Sequence, residues 1–216
     1  DVHDVDCATM LTPDAVIAAC GRAGIRTVPT GIEHGTVTAI LADGPIEVTT
    51  LRRDVATDGR RATIAFASDW CEDAARRDFT INALYAHPET LEISDYFGGR
   101  DDLAARRVRF IGRAEDRIAE DHLRILRYYR FQARFGAALD AEAEAACAAL
   151  AHTLKGLSRE RIAAELLALL ALADPYPTLA RMHAHGVLGV ILPEAGADEV
   201  AALAALIAQE AAQGLA

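Results

Sequence analysis

The chain has 216 residues, 52% apolar and 25% charged, which is enough to bury a core in one large domain or two small ones and excludes a disordered chain. A net charge of −10 and a pI near 5.1 argue against a protein that coats nucleic acid by bulk attraction. Alanine fills 46 positions and aromatic residues only 6%, so packing through tight helix faces is expected, chiefly in the second half.

In chain order, Thr12-Pro13-Asp14 followed by AVIAACGRAG predicts a capped helix with Pro in its first turn and Gly at its end. Residues 36–50, TVTAILADGPIEVTT, alternate β-branched positions around Asp43-Gly44 and predict a hairpin. Charges and a Gly across 51–70 predict a mobile excursion, and 73–87 reads as a helix running into a short strand near LEISDY. Phe97-Gly98-Gly99 is a turn; no Lys-Ser/Thr follows it, which excludes a P-loop. From Glu115 onward the pattern is helical, interrupted at Gly136, Gly156, Asp174-Pro175, Gly186 and Pro193.

Cys7, Cys20, Cys71 and Cys147 are far apart with no C-x-x-C, which fits a reducing, cytoplasmic setting. No apolar run approaches the roughly 18 residues of a membrane span. The first residues lack the basic and apolar regions of a signal peptide, and the start without Met predicts a fragment or a processed chain. Charge is unevenly spread. Residues 100–134 hold ten Arg against six acids, a balance of +4, whereas 136–216 hold four basic and ten acidic residues, a balance of −6. All but one of the 22 basic residues are Arg, whose planar fork suits phosphates and base edges.

Three constellations could carry chemistry. Asp4 and Asp6 flank Val5, and in a strand such positions share a face, where two carboxylates can hold a divalent cation such as Mg2+. Glu47, in the hairpin, is the candidate third carboxylate; an edge-strand acid facing water is the competing reading. In RRDFTINAL (76–84), Arg77 and Asp78 lie in a possible clamp for a triphosphate and ribose hydroxyls, or in an exposed ion-pair network at a helix start. In residues 116–135, Asp121 and Arg124 are three apart, and Arg127, Arg130 and Arg134 extend that helical face, with Ile118, Ile125, Leu126 and Tyr129 on the buried side. A salt-bridged surface helix explains the pattern; so does base recognition. A carboxylate accepts from an exocyclic amine and a guanidinium donates to the neighbouring ring nitrogen, so an Asp/Arg pair would take C and A and refuse U and G.

Taken in order, DVDCAT (4–9), GIEHGTVTAIL (31–41), EVTTLRRD (47–54), RRDFTINAL (76–84), DYFGGRDDL (95–103), RFIGRAEDRIAEDHLRILRYYRF (109–131) and LSRERIAAELL (157–167) resemble the class II tRNA nucleotidyltransferase and bacterial poly(A) polymerase family. The resemblance implies an α+β fold: a nucleotidyltransferase head with a small five-stranded mixed sheet and flanking helices over 1–112, then an all-helical neck and body over 113–216. It implies metal-binding, catalytic carboxylates at Asp4 and Asp6, with Glu47 matching a third acidic position. Nucleotide binding would fall to Arg77, Asp78, Asp121, Arg124, Arg127 and Arg130. The implied reaction is template-independent, metal-dependent addition of C, C and A to the tRNA 3′ end from CTP and ATP, with no membrane partner. Poly(A) synthesis is the alternative within the family, and a non-catalytic helical RNA-binding module the alternative outside it. The low pI and the absence of a Lys/Arg-rich tail favour CCA addition, and RRDVATDGRR (52–61) supplies a loop that enzymes adding only CC lack. The Gly-Gly-x-x-Arg-Asp segment that precedes the first acids in the family, and the later body and tail helices, lie outside this sequence.

Overall fold

A computed structural model describes residues 6–57 and 62–214, without the side chains of residues 54–57 and 62–64. Asp4 and residues 58–61 of the expected loop therefore lie outside the described residues. The described residues form two compact units, 6–57 with 62–76, and 77–214.

In the first unit, strand β1 (Asp6–Thr9) leads into helix α1 (Pro13–Arg22), with Pro at its first turn as expected. Strands β2 (Arg26–Gly31), β3 (Thr36–Leu41) and β4 (Gly44–Thr50) follow. The sheet order is β1-β4-β3-β2, with β1 parallel to β4 and the other pairs antiparallel, so the sheet is mixed. The described sheet has four strands, not the five expected. The β3–β4 hairpin turns as predicted, with Leu41 opposite Gly44. Gly44, at φ 132°, occupies a conformation that side chains rarely adopt. Alternation sorts the two faces: Cys7, Val37 and Val48 share one register row, and Asp6, Thr38 and Glu47 the next, on the opposite face. Helix α1 packs against β2, β3 and β4, and its Val16 is buried, as are Val37 and Ala39.

Within the expected excursion over 51–70, the described residues form the antiparallel pair β5 (Arg52–Thr57) and β6 (Ala62–Phe66). Short helix α2 (Trp70–Ala75) then begins at Asp69, whose carboxylate caps the Cys71 N–H. Buried Asp73 ties α2 to β5 by accepting from the Arg52 N–H at 2.9 Å and from Arg76 Nε at 2.9 Å.

The expected helix over 73–87 is not formed. α2 stops at Ala75, a single 3-10 turn covers Thr80–Asn82, and a two-stranded ribbon follows from β7 (Leu84–Ala86) and β8 (Ile93–Asp95). Asp78 explains the break: its Oδ1 accepts from the Phe79 N–H and from Asn82 Nδ2, a local turn that competes with helix. Helix α3 (Gly99–Ala104) comes next, then α4 (Ala114–Glu120), α5 (Arg124–Phe135), α6 (Ala141–Leu150), α7 (Arg159–Leu170), α8 (Tyr176–Ala184), α9 (Val187–Ile191) and α10 (Ala197–Ala212). The breaks at Gly136, Gly156, Asp174-Pro175, Gly186 and Pro193 fall as predicted, whereas the one between α4 and α5 has neither Gly nor Pro. One apolar cluster joins Phe79, Phe110, Ile118, Ile125, Tyr128 and Tyr129 to Cys147, Leu154, Met182 and Leu188, so α5 is the central rod of the second unit.

Candidate functional site

In the first unit, Asp6 of β1 pairs in register with Glu47 of β4, and Glu47 pairs in turn with Thr38 of β3. Residues in register on adjacent strands point to the same side about 5 Å apart, so the two carboxylates stand next to each other. Both side chains are exposed. Glu47 therefore lies in an inner strand but faces outward, on a surface that also carries the Thr36–Thr49 and Thr30–Thr38 hydroxyl pairs. Among the described residues neither acid has an ion-pair partner, and no group of three or more metal-binding side chains occurs. Two hard oxygen donors free of guanidinium fit Mg2+, which takes one or two carboxylates together with substrate phosphates.

The second unit is built differently. The expected continuous helix over 116–135 is broken between α4 and α5: Asp121 takes an extended conformation at φ −149°, ψ 107°. Its Oδ1 accepts from the Leu123 N–H at 3.1 Å, and its backbone carbonyl from the Arg124 N–H at 3.0 Å. Asp121 and Arg124 are thus brought together by a turn, not by one helical face. Each has another ionic partner. Asp121 Oδ2 accepts from Arg161 Nη2 of α7 at 2.7 Å. Arg124 Nη1 donates to Glu120 Oε2 at 2.5 Å and to the Arg117 carbonyl at 3.0 Å, and Arg117 also pairs with Glu120.

Along α5, Arg127 donates through Nε and Nη2 to Asp78 Oδ2, both at 2.6 Å, a two-pronged contact that ties the helix to the turn after Arg77. Arg130 Nε donates to Glu165 Oε2 of α7 at 2.5 Å. The guanidinium groups of Arg127 and Arg130 both lie against the Phe131 ring, 5.5 and 4.7 Å from its centre. Arg77 Nη1 donates to the Asn82 carbonyl at 3.1 Å, and its guanidinium covers the Tyr85 ring at 5.1 Å.

The structure adds a network that the sequence reading misses. Asp102 is fully buried, accepting from Thr80 Oγ1 at 2.6 Å, Arg107 Nε at 2.8 Å and Arg109 Nε at 2.9 Å. Burial pushes its carboxyl up, but the Thr80 hydroxyl and the two guanidinium groups outweigh that and hold it below the usual carboxylate range. Arg161 and Glu165 were also missed; their four-residue spacing in α7, after the Ser158 cap, puts both on one face toward α5.

A model of the poly A polymerase head domain matches residues 1–109, just over half of the chain, and a model of the probable RNA and SrmB-binding site of polymerase A matches residues 136–198. The chain belongs to the class II tRNA nucleotidyltransferase and poly(A) polymerase family. It is 46% identical over 168 residues to human mitochondrial CCA tRNA nucleotidyltransferase 1, a match covering 76% of this chain and 38% of that one. The CCA-adding enzyme of Oceanobacillus iheyensis is 41% identical over 168 residues, covering 77% and 41%. The crystal structure of the Bacillus stearothermophilus CCA-adding enzyme in complex with CTP superposes with a TM-score of 0.76 at 34% identity, over 87% of this chain and 44% of that one. The chain thus spans about two fifths of the length of the curated relatives it matches. The mixed sheet followed by helices is this family's fold. Among the described residues no helix is long and apolar enough to cross a membrane.

Proposed function

We propose that this chain carries the catalytic and nucleotide-selecting parts of a tRNA nucleotidyltransferase that adds C, C and A to tRNA 3′ ends from CTP and ATP. The observation that carries the reading is the pairing of Asp6 with Glu47, both exposed, in a family whose similar members are named CCA-adding enzymes. Asp6 and Glu47, with Asp4 two residues before Asp6 in sequence, are assigned the divalent cation, Mg2+. When bound, that cation stabilises the charge that develops as the RNA 3′-oxygen attacks the α-phosphorus and pyrophosphate leaves. Arg77 is assigned the nucleotide phosphates, and Asp78 the task of holding Arg127 in place. Asp121 and Arg124 are assigned the base edge, with Arg127 and Arg130 contributing positive field along α5. The head is assigned to residues 1–112 and the neck and body to 113–216. Four well-spaced cysteines fit a reducing compartment such as the cytoplasm.

Incubation with tRNA transcripts ending at the discriminator base, at C or at CC, with CTP and ATP supplied separately, tests this reading. Addition of C to the first two transcripts and of a single A to the third is expected. Long A tracts on every transcript would instead mark the poly(A) alternative.

A further inference from the structure

The ribbon β7–β8 carries Tyr85 and leads directly into Tyr96, two rings that none of the assignments above uses. Tyr85 pairs in register with Ser94, and Tyr96 lies two residues beyond Ser94, so the two tyrosines share a face of the ribbon and only a small side chain stands opposite Tyr85. Their rings meet edge to face, with centres 6.4 Å apart. The Arg77 guanidinium lies over the Tyr85 ring, 5.1 Å from its centre. Beyond Tyr96, Arg109 Nη2 donates to the Phe97 carbonyl at 3.0 Å, while the same guanidinium is anchored on buried Asp102. Tyr96 is 42% exposed.

The segment after Tyr96 is fixed rather than loose. Asp95 accepts from the backbone N–H groups of Phe97, Gly99 and Arg100 at 2.9 to 3.2 Å, and Gly98 takes the left-handed conformation at φ 76°. The Asp95 carboxylate is thus turned onto backbone N–H groups, and the exposed ring of Tyr96 is joined through Tyr85 to the Arg77 guanidinium. Pre-set aromatic rings interleaved with guanidinium groups are the chemistry that stacks bases of single-stranded nucleic acid while holding its backbone.

We infer that Tyr96, backed by Tyr85, is a stacking platform for an unpaired base near the 3′ end of the RNA substrate. This rests on the nucleotidyltransferase reading. There the incoming base is assigned to Asp121 and Arg124 and its phosphates to Arg77, which lies over Tyr85; Tyr96, edge to face with Tyr85, is therefore one ring away from the assigned phosphate contact, which the RNA strand must approach.

The test measures RNA binding without turnover, by fluorescence anisotropy of the full chain with a labelled RNA hairpin whose 3′ end is an unpaired CC. Tyr96→Ala is expected to weaken binding about 5- to 150-fold, the worth of one base–aromatic stack. Tyr96→Phe should restore it, and CTP binding should not change. Equal binding by wild type and Tyr96→Ala overturns the inference, as does Tyr96→Phe binding no better than the Ala variant. A wild-type chain that does not bind the hairpin also overturns it. A changed oligomeric state with unchanged RNA binding would mark the patch as a protein contact and overturn it too. If transcripts are not extended but binding follows Tyr96 as stated, the platform stands while the assigned reaction falls.

Discussion

The acids of the sheet and the charges around α5 are handled in opposite ways. Asp6 and Glu47 stand exposed, side by side, with no ion-pair partner among the described residues. Asp78, Asp121, Arg127 and Arg130 each hold a partner in an ion pair, and most of those pairs are half-buried or deeper. Like charges side by side on neighbouring strands oppose folding unless something neutralises them, which points to a cationic ligand. The network on α5 does the reverse: it fixes side chains in one geometry before any ligand arrives, as the proposed discrimination between bases requires. One region is set up to take charge, the other to hold shape.

That contrast can be broken by substitution. Asp6→Ala should lower nucleotide incorporation by about a thousandfold, the scale of losing a major electrostatic stabiliser of the transition state. It should leave the urea midpoint unchanged and nucleotide binding without metal intact. Glu47→Ala should act in the same direction. A drop in stability with activity retained would assign these acids to structure instead.

Asp102→Ala should do the opposite, costing about 2–3 kcal/mol of stability because Thr80, Arg107 and Arg109 lose their shared acceptor. That figure is reduced because both guanidinium groups are about two fifths exposed. The sign with pH follows from the lowered carboxyl. The stabilisation is present above the ordinary Asp pKa of 3.8 and is lost as pH falls through the lower folded value. Urea melts between pH 2 and 7 should therefore show a steeper acid limb for the wild type than for Asp102→Ala.

How much of this was legible follows physical range. The β3–β4 hairpin and the helix breaks at Gly136, Gly156 and Gly186 were readable because turn chemistry and periodicity are local. The pairing of Asp6 with Glu47 was not, because parallel register between strands 41 residues apart leaves no trace in spacing. The break at Asp121 was hidden because Arg117, Asp121 and Arg124 keep helical spacing straight through it. The available signal was that Asp readily accepts from the N–H two residues on, as Asp121 does from Leu123. The same chemistry at Asp78 ended the helix expected over 73–87. Arg161 and Glu165 showed their common face but not which helix they would meet.

The assignment of base choice to amino-acid side chains stands or falls on incorporation of the four nucleoside triphosphates by Asp121→Ala. The preference for CTP and ATP over UTP and GTP should fall by about 5- to 150-fold, the worth of one good pair of contacts to a base edge, with incorporation of CTP and ATP still measurable. A variant that keeps the wild-type preference would contradict the account.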